Sequence, residues 1–313
     1  MITLGFDTSN YTTSVACFDG TQGYNCSRLL DVKPGQLGLR QSDALFSHIK
    51  RLPELADRLF VHLDPSEVGA IGVSTRPRAV EGSYMPCFLA GESQAAVLAG
   101  ALHRPLYRFS HQQGHIAAAL WSAKRLELMK RPFLAWHLSG GTTELLLVTP
   151  AHRNVDARII GGTTDLSAGQ LIDRTGILLG TAFPAGKALD QMAQRSSSRD
   201  CFSVRVQDCR FSFSGLQNKT EAYFAQTGDA DATARYALLS VISAVRRATL
   251  QALSQYPAYP VVFSGGVASN SLLRSRLTGF ETVFAQPEFS TDNAMGIAVL
   301  TFLQEDGAWN REF

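Results

Sequence analysis

The sequence predicts an α/β protein of two lobes, each a mixed β-sheet flanked by helices, with a cleft between them. Three observations predict it. The chain has 313 residues, against an ordinary domain of roughly 150. A strand, a small polar turn and a second strand occur in GFDTSNYTTSVACF and again in AWHLSGGTTELLLV, a repeat of layout more than of residues. A third element comes late, where the strand Val261 to Ser264 runs into Gly265-Gly266. The expected lobes are residues 1–110 and 111–313, with the last helix crossing back to the first.

In order, Ile2 to Asp7 reads as a strand, Thr8 to Thr13 as a polar turn and Ser14 to Phe18 as a strand. Asp19-Gly20 signals a hairpin leading to a third strand near Tyr24 to Leu30. Lys33-Pro34-Gly35 is loop. Leu45, Ile49, Leu52, Leu55 and Leu59 recur at helical spacing, with a break expected at Pro53. Gly69 to Ser74 is a buried strand, Phe88 to Leu102 an Ala-rich helix, Pro105 to Phe109 a short strand and Gly114 to Ala123 a helix. In the second half, Phe133 to Leu138 and Glu144 to Val148 are strands around Ser139-Gly140-Gly141-Thr142-Thr143. AGQLIDRTGILLG is helical, and FPAGKALD leads into another helix. Phe211 to Gly215 reads as an edge strand with hydroxyls on one face. Ser269 opens a helix, and Ser290-Thr291-Asp292 is expected to cap a last one over Asn293 to Leu303.

Composition excludes several classes. Apolar residues make up 45% and charged residues 18%, too apolar for disorder. The net charge of +2 does not mark a nucleic-acid binder. The densest basic run, Lys124, Arg125, Lys130 and Arg131, reads as a solvated helix end or an RNA contact. No apolar run reaches the roughly 18 residues of a membrane span. MITLGFDTSN lacks the basic and apolar regions of a secretory signal. Five cysteines form no C-x-x-C pair. A cytoplasmic protein with reduced thiols and no membrane contact is expected.

The residues that could carry chemistry sit at turns. In Ser264-Gly265-Gly266-Val267-Ala268-Ser269-Asn270, paired glycines between strand and helix admit close backbone approach to an anionic ligand, or make only a tight turn. Ser139-Gly140-Gly141-Thr142 offers backbone donors to phosphate oxygens, or is an ordinary hairpin turn. Asp7 ends a strand where an acid can orient a cation or water, and Thr8 and Ser9 supply hydroxyls. Asp173 can accept from ribose hydroxyls or be a solvated carboxylate. His111 and His115 are four apart, so on a helix both imidazoles share a face, as a metal pair requires. The same spacing suits two unconnected histidines. Asp292 is a third ligand or only a helix cap. Two histidines with one carboxylate suit Fe(II) or Zn. Position 112 is Gln, so the general base of H-E-x-x-H peptidases is missing. An imidazole pair is also unlike the carboxylate-held Mg2+ of phosphoryl transfer.

Taken together, HQQGH, LSGGTTEL, GQLIDRTGILLG with FPAG, FSFSGL, FSGGVASNSLLR and STDNAMGIA stand in an order that resembles the tRNA threonylcarbamoyladenosine transferases. These are the bacterial TsaD and archaeal-eukaryotic Kae1 family, formerly called O-sialoglycoprotein endopeptidases. The resemblance spans nearly the whole chain. It implies the two-lobed actin-like ATPase fold, shared with hexokinases, acetate kinase and Hsp70. It implies metal ligands at His111, His115 and Asp292, holding Fe or Zn, with Mg as a further candidate. Leu138, Ser139, Gly140, Gly141 and Thr142 match a loop that contacts the activated substrate. Asp173 and Gly186 match ribose- and nucleoside-contacting positions. Gly265, Gly266 and Asn270 match the late turn that holds the nucleotide, ATP or threonylcarbamoyl-AMP. Asp7, Thr8 and Ser9 lie at the matching reaction centre. The implied reaction moves threonylcarbamoyl from its adenylate to N6 of an adenosine beside the tRNA anticodon. The implied partners are tRNA, a degenerate paralog forming a heterodimer and a small P-loop ATPase.

The sequence departs from the family at defined places. Its first turn usually reads E-T-S-C-D-E-T, and here it is Asp7-Thr8-Ser9-Asn10-Tyr11-Thr12-Thr13. Tyr11 and Thr12 replace an acidic pair. Gln113 replaces the acid of the His-x-Glu-Gly-His loop, and Thr142 the histidine after SGG. Residues 74–82, STRPRAVEG, replace a glycine-rich stretch. These departures leave an alternative: a divergent nucleotide-binding paralog with another acceptor, or a non-catalytic scaffold.

Overall fold

The computed structural model describes residues 1–9, 11–31, 39–305 and 307–310. Asn10 and the expected Lys33-Pro34-Gly35 loop lie outside the described residues. The chain divides into two compact units: Met1–Arg131, Thr149–Ala157 and Asp292–Phe313 form one, Pro132–Val148 and Arg158–Thr291 the other. Sequence reading drew its boundary after residue 110. Here residues 111–131 fall in the first unit, because the helix that begins at His111 packs along the last helix of the chain.

In the first unit, β1 (Ile2–Thr8), β2 (Thr12–Phe18) and β3 (Gly23–Leu29) form an antiparallel meander. α1 (Gln41–Phe60) follows. β4 (Val68–Arg76) lies parallel to β1, then come α2 (Phe88–Leu102), β5 (Leu106–Ser110) parallel to β4, and α3 (His111–Ser122). The sheet order is β3-β2-β1-β4-β5. Leu4, Phe6, Val15, Cys17, Ile71 and Val73 pack with Leu52, Leu55 and Leu59 of α1 and Ala90, Ala95 and Ala99 of α2. Strand alternation turns Thr3, Gly5 and Asp7 to the opposite face.

α1 departs from its expected pattern twice. Pro53 does not break it: the helix is continuous, and Pro53 lies on its exposed side. Its inward stripe is Ala44, His48, Leu52, Leu55 and Leu59, while Ile49 is exposed. Thr12 and Thr13 belong to β2, not to the turn, and both are buried.

In the second unit, β6 (Phe133–Leu138) and β7 (Thr143–Ala151) form the second hairpin, and β8 (Asn154–Thr163), not anticipated from sequence, continues the sheet. Helices α4 (Ala168–Leu178) and α5 (Gly186–Arg195) follow, then β9 (Arg210–Phe211), α6 (Ser214–Thr227), α7 (Ala230–Gln255), β10 (Val261–Ser264), α8 (Ser271–Arg276) and β11 (Thr282–Phe284). The order is β11-β10-β6-β7-β8-β9. Trp136, Phe213 and Phe263 anchor the core, and the Trp136 indole donates to Thr249 Oγ1 of α7 at 2.9 Å. α9 (Met295–Gln304) returns to the first unit and lies on β1, β2 and β4. No helix among the described residues is long and apolar enough to cross a membrane.

Three expected elements shift. The edge strand at Phe211 ends there, because the Asp165 carboxylate accepts from Phe213 N, Ser214 N and the Ser212 hydroxyl and turns the chain into α6. The helix expected from Ser269 begins at Ser271, with Asn270 as its N-cap. The last helix begins at Met295, whose N–H is held by the Asn293 side chain. Ser290, Thr291 and Asp292 do not cap it.

Candidate functional site

Two glycines at a helix crossing bring the histidine pair to Asp292. β5 runs straight into α3. Ser110 caps it through a reciprocal box with Gln113, whose amide also donates to Val155 O at 2.8 Å. His111 is thus the first helical residue, and His115 lies one turn on. α3 crosses α9 backbone to backbone: a Cβ on Gly296 would come within 1.8 Å of the Gly114 carbonyl oxygen. Only glycine permits this approach, which sets His111 and His115 beside the residue just ahead of α9.

The ligating atoms of His111, His115 and Asp292 lie within 4.8 Å of one another. His115 Nε2 is 2.9 Å from His111 Nε2 and 3.1 Å from Asp292 Oδ1, and His111 Nε2 is 3.5 Å from that same oxygen. On its other side, His111 Nδ1 is 2.8 Å from Asp7 Oδ2. The other Asp7 oxygen accepts from Ser74 at the end of β4. The Ser9 hydroxyl donates to Asp292 Oδ2 at 3.2 Å. Asp7 is 1% and His115 7% exposed, while the Asp292 side chain keeps 31%. The cluster therefore opens to solvent through Asp292.

The electrostatics follow from this crowding. Burial alone would lower the His111 imidazole, but the Asp7 and Asp292 carboxylates outweigh it and push it up to about 10. Burial would raise Asp292, yet hydrogen bonds from His111 and His115 hold it well below the ordinary carboxylate range. The donor set fits a borderline divalent ion. Two imidazole nitrogens and a carboxylate oxygen converge, and the far nitrogen of His111 is already held by a carboxylate, the arrangement that orients metal-bound histidines.

Asp7, Ser9, His111, His115 and Asp292 are therefore brought together. Thr8 is not with them: its hydroxyl is fully buried, donates to Cys87 O at 3.0 Å and accepts from Gly91 N. The Ser110/Gln113 box was readable as S-x-x-Q before a helix, a signal the sequence reading passed over.

The remaining candidate residues lie in the second unit. β6 and β10 are parallel neighbours, with Ser264 opposite His137, so their carboxyl ends carry the 139–142 and 265–270 turns side by side. In open α/β sheets, ligands bind at such strand ends. Gly265 has φ +92, and a Cβ there would come within 2.2 Å of the Leu138 carbonyl oxygen, so the position requires glycine. The Leu138 side chain is wholly buried in the core, which leaves only its backbone at the turn. Ser139 N donates to Thr142 O, Thr142 N to Ser139 Oγ and Gly265 N to Ser290 O. The N–H groups of Gly140, Gly141 and Gly266 make no hydrogen bond among the described residues. Asn270 spends its side-chain oxygen on Leu273 N at 2.9 Å and keeps its amide donors. Asp173 accepts from Ala185 N at 2.8 Å, which joins it to the start of α5 beside Gly186, and burial raises its pKa. Of the basic run, Arg125 pairs with Glu127.

Comparison with known proteins gives the family and the fold. Residues 36–299 match the family model TsaD, tRNA N6-adenosine threonylcarbamoyltransferase. A protein of that name from Streptococcus pyogenes serotype M18 is 32% identical over 258 residues, 78% of this chain and 72% of the relative. One from Methylobacillus flagellatus is 29% identical over 318 residues, 95% and 91% of the two chains. Among solved structures, full-length HypF in its phosphate- and nucleotide-bound form aligns at TM-score 0.64 and 13% identity. It covers 98% of this chain, which spans 47% of that longer one. The ROK hexokinase of Thermus thermophilus aligns at TM-score 0.55 and 14% identity, covering 97% and 99%. At these identities the structures speak for the fold, which is of the actin-like ATPase type.

Proposed function

The chain belongs to the TsaD family of tRNA N6-adenosine threonylcarbamoyltransferases, and from that premise we propose that it moves threonylcarbamoyl from threonylcarbamoyl-adenylate to N6 of an adenosine beside the tRNA anticodon. The observation that carries the reading is the convergence of His111, His115 and Asp292 in a chain that matches the family over most of its length. We assign these three residues to a resident Fe or Zn ion, with Mg as the lesser candidate on its preference for oxygen ligands. Such an ion supplies Lewis acidity toward the oxygens of an acyl phosphate and charge for the departing AMP.

The chain's own residues do the rest. Asp7 fixes the His111 ring and its tautomer, so that Nε2 is the nitrogen presented. Ser9 holds the second oxygen of Asp292. In the second unit, the N–H groups of Gly140, Gly141 and Gly266 donate to phosphate oxygens, Asp173 accepts from the ribose and the Asn270 amide donates to the nucleoside. A degenerate paralog as heterodimer partner, a small P-loop ATPase that feeds the reaction and a cytoplasmic setting belong to the same proposal. Reconstitution with tRNA, threonine, bicarbonate, ATP and the partner proteins tests it, scored by modified nucleoside. Absence of any metal-dependent product overturns it. The second reading, another acceptor or a scaffold role, is favoured by Tyr11 and Thr12 in place of the acidic pair that the resemblance implies.

Two predictions arise here. Metal uptake should release about one proton at pH 7, because the His111 imidazolium must surrender its proton to ligate. Calorimetry of Zn2+ binding in buffers of different ionisation enthalpy measures this, and uptake without proton release contradicts the assignment. For the nucleotide, Asn270→Asp keeps the cap of α8, since Asp is as good an N-cap, but removes the amide donor. ATP affinity should then fall by about 1–3 kcal/mol with α8 intact. Unchanged affinity takes Asn270 out of the site.

A further inference from the structure

His48 is a buried titratable side chain that the reading above does not use. It lies on α1 and faces β2, wholly buried, on a stripe otherwise made of Ala44, Leu52, Leu55 and Leu59. Its Nδ1 stands 2.8 Å from Thr13 Oγ1. Its Nε2 makes no hydrogen bond, although it faces the backbone carbonyl of Ser9. Burial pushes the imidazole down to about 4, against weaker opposition from the Ser9 carbonyl and Asp7, so the ring is neutral at pH 7. In the tautomer with hydrogen on Nε2, the Thr13 hydroxyl donates to Nδ1 and the ring N–H points at Ser9 O. A half-satisfied imidazole in an apolar stripe is a costly choice for packing alone.

The turn above it explains the choice. Residues 9–11 connect β1 to β2, and the described anchors of that connection and of the strand ends flanking it are specific bonds. The Thr8 hydroxyl is tied to the start of α2, Tyr11 O accepts from Leu30 N, and Thr13 is held by His48. Ser9, between them, reaches out to Asp292. We propose that His48 is a positioning residue for the candidate metal centre: by holding Thr13, which pairs with Thr8 across the β1–β2 hairpin, it fixes the Ser9 hydroxyl on Asp292. The inference rests on the metal reading of His111, His115 and Asp292, and goes beyond it by placing a residue of α1 in the support of that centre.

A double-mutant cycle on metal affinity tests it, with Zn2+ alone competed against a chromophoric chelator. His48→Leu and Ser9→Ala should each weaken Zn2+ binding by about tenfold, at the lower end of the 10–100-fold typical for residues behind metal ligands. The double variant should bind no more weakly than Ser9→Ala. His48→Gln, whose amide can both accept from Thr13 and donate to Ser9 O, should recover most of the loss. Unchanged affinity in His48→Leu, or losses that multiply in the double variant, overturn the proposal, since a general loosening of the fold would act with or without the Ser9 hydroxyl. If His48→Leu does not fold, His48→Asn, too short to reach Thr13, takes its place with the same two outcomes. A wild-type chain that takes up no Zn2+ overturns the metal reading and this proposal together. Normal wild-type uptake with an unaffected His48 variant overturns this one alone.

Discussion

His111→Ala should strip the protein of bound metal and destabilise it at once. The metal loss should exceed the roughly 10–100-fold that changes behind the ligands cost, because a donor itself disappears. The stability loss has a separate cause. Asp7 is 1% exposed and shares its carboxylate between Ser74 and His111. Removing the imidazole leaves a buried carboxylate with only a hydroxyl partner, at about 3–5 kcal/mol for a broken buried pair. Asp292→Asn separates the two effects. Asp292 is more open than Asp7, and its amide can still meet Ser9 and His115, so this variant should lose metal with a smaller stability loss. In chelator, the His111 deficit should also depend on pH. His111 titrates near 10 in the fold against 6.5 in the free residue, so its stabilisation is complete below about pH 6.5 and fades as pH climbs through 10. Asp292 works the other way: its contribution is present above about pH 3.8 and is lost as pH falls below it. Elemental analysis and denaturant unfolding across pH measure both. Equal metal content in wild type and both variants removes the centre, and a deficit flat from pH 5 to beyond 10 removes the charge pair.

The strand ends were readable in the sequence because each turn is marked by small polar residues between apolar runs. Phe88–Leu102, Phe133–Leu138 and Val261–Ser264 coincide with their expected bounds. The histidine pair was readable from spacing alone, but its partners were not. Asp7 and Ser9 lie about a hundred or more positions away along the chain from the groups they hold, and nothing local says that β1 ends against α3 and α9. The same limit explains Asp292, which local pattern assigns to a cap; the Asn293 side chain takes that task and leaves Asp292 to the histidines. Pro53 misleads because a proline inside a helix weakens or kinks it without having to end it; here it sits on the exposed side of a continuous α1 whose inward stripe holds the helix in place. β8 carried a signal that was passed over: polar Asn154, Asp156 and Arg158 alternate with apolar Val155, Ala157 and Ile159, the period of a strand.

Beside an ordinary member of the family, this protein should transfer threonylcarbamoyl to tRNA about 10²–10⁴-fold more slowly, the usual cost of a missing general base. The adenine N6 lone pair is delocalised into the ring, so the amine attacks the acyl carbon well only if a proton acceptor takes its proton as the bond to AMP breaks. The resemblance implies two acids at positions 11 and 12, where this chain has Tyr11 and Thr12, and a phenol and an alcohol are far weaker proton acceptors than carboxylates. Asp7 cannot stand in for them. It is buried, one oxygen accepts from Ser74, and the other holds His111. Asp292 is bound by both histidines and Ser9. Every carboxylate at this centre is thus engaged, and the missing function has to be restored from outside the cluster. Tyr11 is the place to restore it. Its side chain is 38% exposed, so a carboxylate there stays solvated, whereas Thr12 is 7% exposed on β2 and a glutamate in its place adds a desolvation cost. Tyr11→Asp should therefore raise turnover by tenfold or more, and adding Thr12→Glu should gain less than the first change did. Single-turnover transfer from preformed threonylcarbamoyl-adenylate to tRNA, read as modified nucleoside, isolates this step from adenylate supply. Wild-type turnover equal to that of an ordinary member shows that no carboxylate base is needed here. A flat response to Tyr11→Asp in a slow enzyme moves the weight to another acceptor, one that does not have to lose a proton to a base at this turn.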